Sequence, residues 1–152
     1  MAGWTNKGKY ECLGLFARNM SRATNYYIVL YTSASAPSAD TNTNSDHTMI
    51  AAGNGYTAGG YQLTPGDTDF DVLTEDDGND RALLQVKDVT WSASGGSIPD
   101  TGDGARYAAL TDDNGTVADR EVYMYWDLSS DRSVSDGQDL TLQDLEIRIN
   151  ES

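Results

Sequence analysis

Carboxylates are the most abundant chemistry-bearing groups in this 152-residue chain, and they come in clusters: Asp67/Asp69/Asp71, Asp76/Asp77/Asp80, Asp100/Asp103 and Asp112/Asp113. Acid–base catalysis needs two carboxylates held in a cleft with their pKa values pushed apart. With 24 acidic residues present, neighbouring pairs arise from composition alone, and a solvated acidic face accounts for them. Calcium is the better functional reading, because hard cations take six to eight oxygens from Asp, Asn and backbone carbonyls. Asp76, Asp77 and Asp80 around Gly78-Asn79, and Asp112 and Asp113 before Asn114-Gly115, carry suitable ligands. Neither cluster has the twelve-residue EF-hand spacing, so diffuse counterion binding is the plainer expectation and no cofactor is required.

Other reactive groups are sparse. His47 is the only histidine and lies in a polar stretch far in sequence from Cys12, the only cysteine. A zinc site needs three or four His, Cys, Asp or Glu ligands, and a Ser-His-Asp triad needs a placed base. One cysteine allows no disulfide within the chain. Gly53, Gly55, Gly59 and Gly60 surround Tyr56, but without the GxxxxGK[ST] or GxGxxG pattern a phosphate cradle is not expected. The residues therefore point to no enzyme. Tyr56, Tyr61, Tyr107, Tyr123 and Tyr125 could form a sugar-stacking platform, since each ring has an apolar face and a polar tip. The competing reading places these rings in a second packing layer or a subunit interface. Asn19, Asn114 and Asn150 head Asn-x-Ser/Thr sequons, of which Asn114 falls in an expected turn.

The elements that would position these groups are strands. In the run 120–128, Val122, Met124, Trp126 and Leu128 alternate with Glu121, Tyr123, Tyr125 and Asp127, the period of a half-buried strand. Residues 26–31 (YYIVLY) form a strand apolar on both faces. Residues 32–54 form a polar loop long enough to be functional or to cover a neighbour. Strands are expected near 60–64, at 68–74, 81–91, 105–111 and 140–149, with an acidic hairpin tip at 75–80 and polar loops at 92–104 and 129–139. The runs 81–91 and 140–149 each change apolar phase midway, which suggests a bulge or a strand covered on both faces. Asn114-Gly115 is a hairpin signal that pairs 105–111 with 120–128. Residues 3–20 are the one plausible helix, weakened by Gly8 and Gly14. We divide the chain into an N-terminal arm or short helix over 1–22 and an all-β, antiparallel sandwich of jelly-roll or immunoglobulin-like type over 23–152. The arm is expected either to dock on a neighbouring subunit or to plug one end of its own sandwich.

Composition sets the environment. A chain of this length buries roughly two-thirds of its unfolded surface and needs no staple. Its net charge is −14, from 19 Asp and 5 Glu against 7 Arg and 3 Lys. Such a charge repels phosphate backbones and anionic membranes, so neither nucleic acid nor membrane is an expected partner. Self-repulsion is relieved in brine, where the Debye length falls to about 3 Å near 1 M, which fits a protein of a high-salt medium. The N-terminus lacks the apolar core of a signal peptide, so synthesis in the cytoplasm is expected.

The order of features resembles the small β-rich virion proteins of tailed viruses, the head-decoration and tail-fibre-like proteins. The likeness rests on the strand Tyr27-Ile-Val-Leu-Tyr-Thr32, the element Gly55-Tyr-Thr-Ala-Gly-Gly60, Val89-Thr90-Trp91, Tyr123 to Asp127 with Ser135-Asp136-Gly137 downstream, and the closing Leu-x-Leu…Ile-x-Ile strand. It covers most of the chain, but the loops 40–54 and 99–104 and the extreme acidity depart from it. The acidity fits a virus of a halophilic host. The resemblance implies a non-enzymatic subunit of the virion, a homo-oligomer with a trimer favoured, that binds other virion proteins in the head, turret or tail. A host-adhesion or carbohydrate-binding module, with or without calcium, is the second expectation. Trp4, Leu13, Phe16, Tyr26, Tyr123 and Tyr125 are the expected interface residues, and Tyr123 and Tyr125 are expected to be covered by another subunit or by a second layer of the chain.

Overall fold

The computed structural model describes residues 1–150 and is an antiparallel β-sandwich with one α-helix. Ten strands form: β1 (Ala2–Trp4), β2 (Tyr26–Tyr31), β3 (Tyr61–Leu63), β4 (Val72–Asp76), β5 (Arg81–Val86), β6 (Val89–Ser92), β7 (Ala105–Thr111), β8 (Val122–Arg132), β9 (Asp139–Leu142) and β10 (Leu145–Asn150). The helix α1 spans Asn6–Ala17. One sheet has the order β1-β8-β7-β2-β3; the opposing layer is built from β10-β5-β4 and β6-β9. Ile28, Leu30, Leu63, Ala108, Leu110, Met124 and Trp126 from the first layer meet Val86, Val89, Trp91, Leu140, Leu142, Leu145 and Ile147 from the second in one core.

The hairpin β7–β8 pairs as the Asn-Gly turn predicts, and β8 runs on to Arg132, shortening the expected loop 129–139. Its pairing shifts register at two points, between Ala105 and Tyr107 and between Leu110 and Thr111, and the second decides which residues face the core. Leu110 lies opposite Met124 while Thr111 lies opposite Val122, so Tyr123 is an extra residue in β8. Such a bulge reverses facing on one side of it. Val122 consequently packs with Val29, Tyr31 and Ala109 on the outer face of the sheet, while Met124 and Trp126 stay in the main core. The expected shared face of Val122 with Met124 is thus corrected.

The two phase changes have a single cause. Strands β5 and β10 pair with Leu145 opposite Val86, and β6 and β9 pair with Val89 opposite Leu142. Two residues intervene on each side, Lys87-Asp88 and Gln143-Asp144, so the register is unbroken and no bulge is inserted. Instead one long two-stranded ribbon twists at that point, with Asp144 in the left-handed region at φ 54°. The twist swaps which face meets the core: Val86 before it, Val89 and Trp91 after it. The expected single strands 81–91 and 140–149 are therefore two strands each. The strand expected at 68–74 begins only at Val72; Asp69 is instead held by Lys87 and by the Thr64 amide.

The 32–54 segment covers the outer face of the five-stranded sheet. Asn44 is fully buried there; its side chain accepts from the Tyr31 hydroxyl at 2.5 Å and donates to the Val117 carbonyl at 2.7 Å. His47 stacks on Tyr31 with ring centroids 4.9 Å apart and bonds Thr41 and Ser35. The loop thus covers its own chain. Arg120, buried at its edge, lies 3.7 Å from the Tyr27 ring centroid and donates to the Gly59 and Asn114 carbonyls.

Candidate functional site: an apolar groove beside the N-terminal helix

The N-terminal segment is built into the sandwich. Ala2, Gly3 and Trp4 pair with Trp126, Tyr125 and Met124, so β1 is an edge strand of the main sheet. Thr5 then caps α1. Its hydroxyl accepts from the Gly8 amide at 2.9 Å and donates to the Val122 carbonyl at 2.5 Å, while its own amide donates to the Tyr123 carbonyl at 3.1 Å. Gly8 lets the helix backbone touch the strand: a Cβ there would lie 2.1 Å from the Tyr123 oxygen. The β8 bulge and the cap therefore seat the helix together. The docking expectation resolves onto the chain's own sheet for β1 and the cap, but not for the rest of α1.

Only Gly8 and Gly14 of α1 are buried. Leu13 is 66 % exposed and Phe16 is 88 % exposed, and Tyr10 and Leu15 are exposed beside them. This is inverted for a surface helix, which normally hides its apolar stripe. Along one flank of α1 runs a groove of about 510 Å³. Its floor and walls include Trp4, Tyr26, Leu110, Tyr123 and Ile147, with Cys12 and Leu15 on the helix side and Phe70 and Leu73 on the other. Leu73 is 79 % exposed on the edge strand β4. On the helix's opposite flank Leu13 and Cys12 border Ile149. Among the described residues, every exposed large apolar side chain except Met1 belongs to α1, β4 or β10. On an acidic, polar surface these side chains flank the helix, Leu15 and Leu73 at the groove and Leu13 and Ile149 at the notch on its other side.

Of the residues expected at an interface, Trp4, Tyr26 and Tyr123 line this groove and Leu13 borders the notch on the helix's other flank. Phe16 stands exposed on the same helix. Trp4 is half-buried, its indole donating to the Arg148 carbonyl at 2.8 Å. Tyr26 meets Tyr123 edge-on at 6.2 Å and Phe70 at 5.9 Å. Tyr123 is only 7 % exposed, covered by its own chain. Tyr125 lies away from the groove, over Gly3, where an added Cβ would meet its ring at 2.6 Å. Cys12, Leu15, Phe70 and Leu73 were not among the expected interface residues. Cys12 and Leu15 fall within the expected helix 3–20; Phe70 and Leu73, over fifty residues away, carried no signal.

The groove is poor in chemistry. Burial pushes the hydroxyls of Tyr26 and Tyr123 above the usual phenol range, so both remain protonated. Burial likewise raises Glu11. His47 is on the outer face against Tyr31. The sugar-platform expectation is corrected in part: Tyr56 and Tyr123 are buried, and the Tyr56 hydroxyl accepts the Leu30 amide, with its pKa pushed up to about 12 by burial. Among the described residues no group of three or more His, Cys, Asp or Glu could hold a metal ion. Asp76 pairs with Arg81 at 2.7 Å and accepts from Asn79, which holds its carboxyl below the usual range. Asp77 lies in a 3-10 turn and Asp80 caps it in the left-handed region. Asp112 accepts from the Glu121 and Asn114 amides, and Asp113 from the Asn25 amide. These carboxylates serve turns and strand ends rather than converging.

No family model, curated protein or solved structure matches the chain. Function is therefore argued from the site alone. An open apolar groove beside an apolar helix, without a nucleophile–base pair, is suited to binding another apolar surface.

Proposed function

We propose that this chain is a non-enzymatic structural subunit that acts by contacts with neighbouring subunits. The observation that carries the reading is the gathering of exposed apolar side chains on α1, β4 and β10, on a surface otherwise rich in Asp. Monomeric soluble proteins rarely leave such a face uncovered. The resemblance described above supports placing the subunit on the surface of a virion, and the charge of −14 supports a high-salt medium. A decoration subunit needs a rigid scaffold and a docking face, and the cap and bulge that seat α1 supply both.

The test is incorporation. Particles from the producing host, purified and cross-linked, are expected to contain the chain at their surface, with cross-links from Lys9 on α1 to a neighbour. A Phe16→Asp variant should fold and fail to incorporate. Absence of the chain from purified particles, or full incorporation of the variant, would overturn the reading. A stable monomer that binds glycans would replace it with an adhesion module.

A further inference from the structure

Aromatic rings line the groove as walls rather than as a stack: Tyr26 meets Phe70 at 85° and Tyr123 at 71°. Trp4 adds a fourth ring. The only charged side chains in the lining are two acids, Glu11 and Asp67, and neither is in an ion pair among the described residues. Cations act on the groove from outside its lining: Lys7, tied to Glu121 at 2.7 Å, on Glu11, and the exposed Arg22 on Tyr26.

One polar group in the lining is left over. Tyr123 is only 7 % exposed, yet its hydroxyl has no hydrogen-bond partner among the described residues. No side-chain oxygen sealed from solvent lacks a partner among those residues, so this hydroxyl reaches solvent, and the groove that its ring lines is the opening. The charges around it are all negative: Asp112, Glu11 and Glu121 add to burial in holding it protonated.

We propose that the groove binds a small organic amine in its protonated form, an N–H-bearing cation on an apolar body. Its volume of about 510 Å³ falls within the range of about 300–1,000 Å³ in which small-molecule sites occur. Ring faces attract a cation, and more strongly where water is excluded. The Tyr123 hydroxyl accepts one N–H, Glu11 and Asp67 supply the countercharge, and Leu84, Leu110 and Ile147 cover the apolar body. An anion would be repelled by both acids. A neutral apolar molecule would desolvate Glu11 without pairing it. A bare metal ion is not suited, since among the described residues no group of three or more His, Cys, Asp or Glu could hold one. The net charge of −14 raises the concentration of any cation near the surface. The inference goes beyond the subunit reading and does not depend on it, because the site is complete within one chain.

The experiment is calorimetric titration of the full chain at about 0.15 M sodium chloride with phenylbutylamine, phenylbutanol and phenylbutanoate. The amine is expected to bind at least about tenfold more tightly than the alcohol, and the carboxylate not at all. Glu11→Gln and Tyr123→Phe keep the shape of each side chain, and circular dichroism should show intact folds. Each should weaken the amine by about fivefold. The N-trimethyl form of the same amine has no N–H to give, so Tyr123→Phe should leave its affinity unchanged. Alcohol binding as tightly as the amine would make the groove a seat for any apolar group and overturns the inference. So does an amine that fails to bind at millimolar concentration, or one whose affinity either variant leaves unchanged. An equal loss for the amine and its trimethyl form in Tyr123→Phe also overturns it. None of these outcomes touches the subunit reading, which incorporation into particles tests separately.

Discussion

The two glycines buried in α1 should respond oppositely to the same substitution. In an ordinary helix interior, Gly→Ala gains about 1 kcal/mol from backbone entropy. At Gly8 the new Cβ would sit 2.1 Å from the Tyr123 oxygen and 2.8 Å from its carbonyl carbon. Relief requires the helix to lift by roughly 1 Å to reach an ordinary carbon–oxygen contact near 3.3 Å. The strand cannot yield, because Thr5 ties the helix start to the Val122 and Tyr123 carbonyls. Overpacking against such a backbone costs about 1–3 kcal/mol, and lifting the helix also stretches the Thr5 bonds, so a net loss of about 2 kcal/mol is expected. At Gly14 the close atom is the Met20 sulfur, at 2.1 Å, the far end of a flexible side chain that can swing away. Gly14→Ala should therefore keep most of the helical gain, about 1 kcal/mol. For a chain of this size each kcal/mol moves Tm by about 2–4 °C. Gly8→Ala should melt about 4–8 °C lower and Gly14→Ala about 2–4 °C higher, read by near-UV circular dichroism on matched samples. If the two variants shift in the same direction, the account of how the helix is seated is refuted.

Three further outcomes follow from the same structure. Thr5→Ala removes the cap and leaves the Val122 carbonyl short of a buried partner, for a loss of about 2–3 kcal/mol in urea unfolding, while Thr5→Ser should recover most of it. Burial holds His47 below its ordinary pKa of 6.5, so in the window just beneath that value the unfolded chain binds a proton that the folded chain does not; stability is fully present above pH 6.5, falls on acidification through the window, and His47→Gln should flatten that part of the urea-midpoint profile. The charge of −14 predicts a higher Tm in molar sodium chloride than in about 0.02 M salt, and equal melting in both would remove the high-salt reading.

Some of the candidate site was legible in advance. Trp4, Leu13, Phe16, Tyr26 and Tyr123 are large apolar or aromatic groups in an acidic chain, and their types alone mark them as surfaces that need a cover. The other wall was not legible. Phe70 and Leu73 sit in a run that reads as an ordinary short strand, and only pairing of β4 with β5 brings Leu73 across from the helix. The acidic clusters were over-read for the opposite reason. Asp112 and Asp76 resemble ligand loops in one dimension, yet local amides and Arg81 claim them, because turns satisfy their own carboxylates before they bind ions.

The amino-acid pattern alone determines that this is an antiparallel β protein, and leaves open whether its first 22 residues form an arm or a short helix. Alternation, β-branched and aromatic runs and an Asn-Gly turn are local signals, and they act through local geometry. Tertiary structure decided what those signals leave open. The extra residue at Tyr123 sends Val122 to the outer face, and the twist at Lys87-Asp88 and Gln143-Asp144 turns two strands into four. Both depend on which strand lies alongside, since facing is a property of a pair and not of a run. The same holds for the groove. Its helix side comes from Cys12 and Leu15 and its other side from Phe70 and Leu73, and only the folded sandwich sets them face to face.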